Sequence, residues 1–262
     1  MTRTTARLSR AAAGAALAAW VGAVALYAPA EAHKAVTSKY TFNEDIFPLF
    51  RDKCGRCHVD GGVAPMSLMT HEDASPWAES LRLEFLAEQT HPWRPLHLTA
   101  RELDMMLVWA NGGTPRGDVA HAPKPVTLVN DWGSGRPDLA LPVAAPFTLA
   151  ADLNEATETF ELPAPKAAGQ TVRAIDLLPG NPAVVRSAEF LLKQPDGTTT
   201  PLGSWFAGAE QAAPVSPPVL VPRGAVVVAR ITYRRTWKYE RQELKDASTV
   251  GLYFGKTTRG AR

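Results

Sequence analysis

Residues 54–58 constrain this chain more than any other stretch. Their sequence, CGRCH, contains the only two cysteines of the 262 residues and ends in a histidine. On a helical turn, positions i, i+3 and i+4 share one face, so both sulfurs and the imidazole can address a single flat object. The pattern C-x-x-C-H is typical of c-type haem attachment. We therefore predict one covalent haem c, joined through Cys54 and Cys57, with His58 as the proximal iron ligand.

Two other roles of a C-x-x-C motif agree less well with the rest of the sequence. A structural zinc site needs four ligands, usually from two separated pairs, and neither a second C-x-x-C nor an H-x-x-x-H follows. A thioredoxin-like dithiol lies at the head of a helix within a βαβ pattern, which the sequence around residue 54 does not show. Covalent haem is therefore the preferred interpretation.

The first 32 residues have the pattern of a secretion signal. Three arginines begin it, residues 11–30 are almost wholly apolar, and residues 30–32 form an A-x-A cleavage site. An uncleaved membrane anchor is the alternative, and we expect membrane contact only in that case. Cleavage predicts a periplasmic or otherwise exported protein.

Removal of this signal also changes the charge. It takes away three arginines and one glutamate, which leaves equal numbers of basic and acidic side chains in residues 33–262. A balanced charge gives no reason to expect a nucleic-acid partner. Both cysteines are assigned to haem, so the exported fold is expected to stand without disulfides.

Composition divides the exported part near residue 118. Residues 33–118 carry helix signals, residues 119–130 form a proline-containing linker, and residues 131–262 have short apolar runs separated by proline and glycine. Three helices are predicted in the first part. Their starts are Asp45 as a cap before Pro48, the Ser75-Pro76 pair, and a capping box formed by Thr99 and Glu102.

Six strands are predicted in the second part, at residues 138–141, 157–162, 171–177, 183–192, 225–233 and 249–254. Several short strands at this spacing, with no helix between them, indicate an antiparallel sandwich. The predicted fold class is therefore α + β and multidomain: a small all-α cytochrome c-like domain, then an antiparallel, jelly-roll-like β-sandwich.

Particular motifs carry a resemblance to known families. Residues 54–117 resemble the small c-type cytochrome domain at the head of exported proteins that carry copper type II, ascorbate-dependent monooxygenase-like domains. From residue 131 onward the chain resembles the N-terminal sandwich half of the peptidylglycine α-hydroxylating monooxygenases. The matching cytochrome segments are CGRCH, GGVAP at 61–65, the helix start at 70–77 and WANGG at 109–113; the matching sandwich segments are Trp132, GRPDL at 135–139, PGN at 179–181, WFAG at 205–208 and ITY at 231–233.

The sandwich departs from its family at the metal positions. The resemblance implies one copper held by a His-His pair and a third histidine, but this chain has Arg186 and Ser187 in place of the pair and Thr232 in place of the third. Residues 122–262 contain no His, Cys or Met, the side chains that hold copper in this compartment. We therefore expect no copper there.

The sequence leaves three alternatives for the sixth ligand of the haem iron. The resembling cytochromes supply a methionine from a Met-Pro-Pro-Trp segment, where this chain reads THPW at 90–93. His91 is the first candidate, because imidazole binds iron well, and Met66 or Met69 is the alternative. A vacant sixth position is the remaining reading.

Three arginines are candidates for the haem propionates, namely Arg51, Arg56 and Arg94, although each also fits an ordinary surface charge. The function expected is one-electron transfer by an exported mono-haem cytochrome, with the metal-free sandwich as a docking or scaffold module. Its partner would be a redox protein or a larger redox assembly. The alternatives are a haem enzyme or gas sensor with an open iron site, and a copper-dependent monooxygenase.

Overall fold

The structure, a computed structural model, describes residues 37–87 and 98–255. Residues 1–32, which are predicted to be a secretion signal, and His91 and Arg94 lie outside the described residues. The described chain begins with helices and continues into a larger region of antiparallel strands. Its four α-helices are α1 (Phe47–Lys53), α2 (His71–Ala74), α3 (Ala78–Leu86) and α4 (Ala100–Asn111).

The helix starts follow from local polar contacts. A π-helical turn at Phe42–Ile46 runs directly into α1, so the helical stretch begins before Asp45 and the prediction of Asp45 as its cap is wrong. Asp45 instead accepts a hydrogen bond from the backbone amide of Thr41 across that turn. Similarly, Thr70 caps α2, and Ser75-Pro76 continues the chain as a 3-10 turn at Ser75–Trp77 before α3.

The start of α4 is confirmed as predicted. The Thr99 side chain accepts a hydrogen bond from the Glu102 amide, and the Glu102 carboxylate accepts one from the Thr99 amide, which is a complete capping box. Helix α4 buries Trp109 against the aromatic rings of Phe42 and Phe50. This cluster fixes the end of α1, where the cysteine motif follows.

Ten strands form the second region: β1 (Leu139–Pro142), β2 (Phe147–Leu149), β3 (Glu155–Pro163), β4 (Thr171–Leu178), β5 (Val185–Lys193), β6 (Thr199–Phe206), β7 (Ala213–Leu220), β8 (Val226–Arg234), β9 (Leu244–Asp246) and β10 (Thr249–Phe254). One four-stranded sheet has the order β1-β10-β4-β7, the other has the order β3-β8-β5-β6, and β2 pairs with β9. Every pairing among them is antiparallel.

The two larger sheets share one apolar core, as expected of a β-sandwich. Ile175 and Leu252 from the first sheet belong to the same buried cluster as Phe190 and Ile231 from the second. Strand β8 shows why one face of its sheet packs into this core: toward the end of the strand, buried side chains alternate with more exposed ones. The predicted antiparallel sheet region is therefore confirmed.

All six predicted strands are present, and four further strands, β2, β6, β7 and β9, were not predicted. Strand β7 contains Pro214, Pro217 and Pro218, and β6 contains Pro201 and Gly203. Proline cannot donate to a β-ladder, so such a segment does not read as a strand in sequence. Both are edge strands in their sheets, where a missing donor costs little.

Candidate functional site

The cysteine motif forms a tight turn at the end of α1. Cys54 follows the last residue of α1, and its carbonyl accepts hydrogen bonds from the amides of Cys57, at 3.0 Å, and His58, at 2.8 Å. The two cysteines, both within the described part, are not joined in a disulfide. These are the backbone contacts of a helical turn, but Cys54 packs against the helical cluster and Cys57 against the cluster of the sandwich.

The His58 ring is oriented by a backbone carbonyl. Its Nδ1 lies 3.2 Å from the Met66 carbonyl oxygen, and the residue is buried. A carbonyl oxygen can only accept, so Nδ1 carries the proton in this contact. Histidines that bind a metal through Nε2 commonly donate their Nδ1 proton in this way.

A cavity of about 440 Å³ opens beside the motif. This volume lies in the range of small-molecule and cofactor sites. One wall consists of Cys57, His58 and residues 63–66. The opposite wall comes from the β-sandwich and consists of Arg186 and residues 234–237.

Arg186 is a buried cation in that second wall, with 3 % of its surface exposed. It occupies a bulge, since Val185 pairs with Tyr233 and Ser187 pairs with Thr232, which leaves residue 186 without a partner in register. A bulge re-aims the side chain that it carries. Burial, together with the positive charge of Arg234, lowers the pKa of Arg186 to about 10.

Two polar atoms of the same wall have no partner within the described chain. Arg235 donates to the carbonyls of Ala151 and Ala150 at 2.5 and 2.6 Å, but its Nε is buried without a hydrogen bond among the described residues. The Thr236 hydroxyl is in the same state. Buried polar atoms in folded proteins nearly always have partners, so these two indicate a ligand, ion or water at this wall.

The loop after the motif packs directly against the sandwich. Val63 belongs to the buried apolar cluster of the β-sandwich. The Cys57 sulfur lies close to Gly208, where an added Cβ would be 2.6 Å from Sγ. Arg56 donates to the Ala209 carbonyl at 2.6 Å. The cysteine motif is thus in contact with the sandwich on one side and continuous with α1 on the other.

The other predicted site residues are placed as follows. Arg51 donates to Asp52 at the surface, and Arg56 contacts Ala209; neither lines the cavity. Met66 lines it, and its carbonyl accepts the Nδ1 proton of His58, so the Met66 backbone lies on the Nδ1 side of the ring. His91 and Arg94 lie outside the described residues.

Sequence reasoning missed the arginines of the second wall as site residues. Arg186 was noted only as a lost copper ligand, and the Arg234-Arg235 pair at the end of β8 was not considered. The sequence did contain a signal for Arg186, because a charged residue at an inward position of a predicted strand needs a partner. Locating that partner required the register of β5 and β8.

Within residues 37–87 and 98–255, no three His, Cys, Asp or Glu side chains lie together as a metal site. No helix in the same residues is long and apolar enough to cross a membrane. The sequence was also compared with known proteins: no protein-family model matches the chain, and no curated protein matches it.

Proposed function

We propose that this protein is an exported, mono-haem c-type cytochrome that transfers single electrons, and that its β-sandwich forms the second wall of the haem cavity. The single observation that carries the proposal is the C-x-x-C-H turn, whose Cys57 and His58 line a cavity and whose His58 Nδ1 is held by the Met66 carbonyl. The resemblance of residues 54–117 to c-type cytochrome domains supports the same reading.

The donor set fits a covalent haem and no common alternative. Two thiols three residues apart suit two thioether bonds, and one imidazole with its Nδ1 proton held by a carbonyl suits an iron ligand. A four-ligand zinc site would need a fourth donor, which the described residues do not supply. Cys54, Cys57 and His58 would therefore hold the group.

The bound haem would supply a one-electron couple at the iron. The chain would hold the ring in place, exclude water with Val63, Ala64 and Pro65, and set the charge around it with the opposite wall. Burial and nearby charge are the means by which a protein adjusts a haem potential. These tasks need no further catalytic group, which favours a carrier over an enzyme.

For the sandwich we propose a structural role in place of copper chemistry. The positions that the monooxygenase resemblance assigns to copper ligands carry Arg186, Ser187 and Thr232, and Ser187 and Thr232 are cross-strand neighbours. Arg186 brings a positive charge that repels a cation. A jelly-roll-like sandwich without copper therefore serves to complete the cavity and to present a surface to a redox partner or larger redox assembly.

Export is part of the same proposal. Covalent haem attachment through thioethers suits a chain with a secretion signal at residues 1–32, and a periplasmic or otherwise exported location follows. A cleavage site at residues 30–32 predicts that the N-terminus of the mature protein is His33. N-terminal sequencing of the secreted protein measures this.

The decisive experiment is whether the haem survives denaturation. The full chain, produced in a host that attaches c-type haem, should retain its haem after acid and organic extraction and give the spectrum of a thioether-linked pyridine complex. Cys54→Ala and Cys57→Ala should each lower the covalent haem yield by more than tenfold. Arg51→Ala, beside the motif but outside the cavity, is the matched control and should keep the yield. Free extraction of haem from the wild type would overturn the proposal.

Optical spectra of both oxidation states then separate a carrier from the alternatives. A low-spin iron with two strong ligands is expected of a carrier, and His91→Ala should convert it to a form that binds carbon monoxide. If the wild-type iron is already high-spin and binds carbon monoxide, the carrier function is wrong and a haem enzyme or sensor is the better proposal.

A further inference from the structure

We propose that Arg186, Arg234, Arg235 and Thr236 form a binding site for the haem carboxylates, so that the position resembling a copper site in the sandwich is used to bind an anion instead. This inference rests on the proposed function, because the carboxylates belong to the haem held by Cys54, Cys57 and His58. It assigns to the β-sandwich a direct part in cofactor binding.

The first support is the composition of the wall. Three guanidinium-bearing residues and one hydroxyl line one side of a cavity whose other side carries the haem motif. Guanidinium groups bind carboxylates through paired, charge-assisted hydrogen bonds. A porphyrin of this kind carries two carboxylates and no other charged substituent, so its carboxylates are the groups that such a wall would recognise.

Arg186 supplies the second support. Its guanidinium donates to the Ala183 carbonyl at 3.0 Å, and it is nine-tenths or more buried. The carbonyl is neutral, and the nearby Arg234 repels the charge more strongly than Glu155 attracts it. A buried cation is costly unless an anion accompanies it. The nearby acid, Glu155, also acts on Arg186, but it is exposed and pairs with Arg234 at 3.7 Å.

The partnerless atoms give the third support. Arg235 has only 8 % of its surface exposed, and its Nε has no acceptor among the described residues, nor does the Thr236 hydroxyl have a partner there. A carboxylate accepts several hydrogen bonds at once, so a single carboxylate can satisfy both donors. Each donor left buried and unbonded would otherwise carry an uncompensated desolvation cost.

Other charges around the cavity do not fill this role. Asp60 is bound by Lys238 in an exposed pair at the edge. Glu155 on β3 faces Arg234 from outside, and His58 is assigned to the iron. We therefore assign the anion that would complete the partners of Arg186 and Arg235 to the bound group.

The test uses the full haem-loaded chain and measures the reduction potential across pH. The potential falls as pH rises through the pKa of a haem carboxylate, because deprotonation favours the oxidised iron. Cationic neighbours lower a carboxylate pKa by about one to three units. In Arg234→Gln and Arg235→Gln, the pH at which the potential falls should therefore be higher by about one unit. The potential at neutral pH should be lower than in the wild type.

Two further variants separate binding from general charge. Thr236→Val keeps the net charge and removes one donor, so it should move the pH profile in the same direction by a smaller amount. Arg230→Gln is the control, because Arg230 lies on the same strand β8, pairs with Glu189 at the surface and does not line the cavity. It should leave the pH at which the potential falls unchanged.

The outcomes distinguish the two proposals. A wild type without covalent haem removes the proposed function, and the carboxylate site with it. If the wild type has covalent haem but Arg234→Gln and Thr236→Val show the same pH dependence of the potential as Arg230→Gln, the carboxylate site alone is refuted. Millimolar inorganic phosphate that shifts the wild-type potential more than that of Arg234→Gln would show a wall open to free anions and also overturn the assignment. Arg234 is exposed, so its variant keeps the test valid if Arg235→Gln does not fold.

Discussion

The close approach of Gly208 to Cys57 predicts a specific effect of one methyl group. Gly208 lies in the loop after β6 with φ +81°, and a Cβ added there would be 2.6 Å from the Cys57 Sγ. Ordinary carbon contacts lie at about 3.5–4.0 Å, so the methyl group and the sulfur cannot both keep their positions. Gly208→Ala should therefore disturb the sulfur that the proposal assigns to the haem.

A second glycine separates this contact from the backbone cost. Gly169 has φ +80°, and an added Cβ there meets nothing within 4 Å. An alanine in this left-handed conformation costs about 1–2 kcal/mol, offset by about 0.4–1 kcal/mol from the less flexible unfolded chain. Gly169→Ala should thus lose about 1 kcal/mol of unfolding free energy. Gly208→Ala adds an overpacking cost of about 1–3 kcal/mol and should lose about 2–4 kcal/mol.

Urea denaturation of haem-free protein measures both losses, and the covalent haem yield of the exported protein gives the second readout. Gly208→Ala should lower the yield, and Gly169→Ala should not. In haem-free protein, Cys57→Ala should recover most of the extra loss of Gly208→Ala, because the clashing sulfur is gone. Equal losses for the two glycine variants, or no coupling with Cys57→Ala, would refute the reasoning.

Two further predictions follow from polar groups elsewhere in the chain. Burial raises the pKa of Asp176 above its ordinary value, so its contribution to stability is full below the unfolded pKa and is lost as pH rises through the folded pKa. The unfolding free energy of the wild type should therefore fall as pH rises, and Asp176→Asn should flatten this fall. Urea titrations from pH 3 upward measure it, since the ordinary pKa of an aspartate is about 3.9. Thr99→Ala removes the cap of α4 and should cost about 1 kcal/mol, while Thr99→Ser should restore most of it in the same assay.

The sequence was sufficient for features that depend on neighbouring residues. The capping box at Thr99 and the C-x-x-C-H turn each depend on positions within four residues, and both have the expected backbone contacts. Strands β4, β8 and β10 are runs rich in β-branched and apolar residues and were located to within one residue. Local signals fail where context decides, as in the proline-containing β7, which is tolerated only because it lies at a sheet edge.

The composition of the cavity could not be read from the sequence for the same reason. Cys57 and Arg186 are more than a hundred residues apart, and they meet because the loop after the motif packs on the sandwich through Val63. Nearness to the motif in sequence predicts Arg51 and Arg56 as carboxylate contacts. In the folded chain they contact Asp52 and Ala209, and the arginines at the cavity come from the sandwich.

The bulge at Arg186 explains how one sandwich position can exclude copper and still serve a ligand. In register, Val185 and Ser187 pair with Tyr233 and Thr232, so the extra residue between them is free to depart from the regular alternation of the strand. An arginine there is buried beside the cavity, where its charge repels a metal cation and attracts a carboxylate. Under the proposed function, an arginine at this bulge would thus favour an anion over a metal cation, and the haem held opposite would supply the carboxylates that it binds.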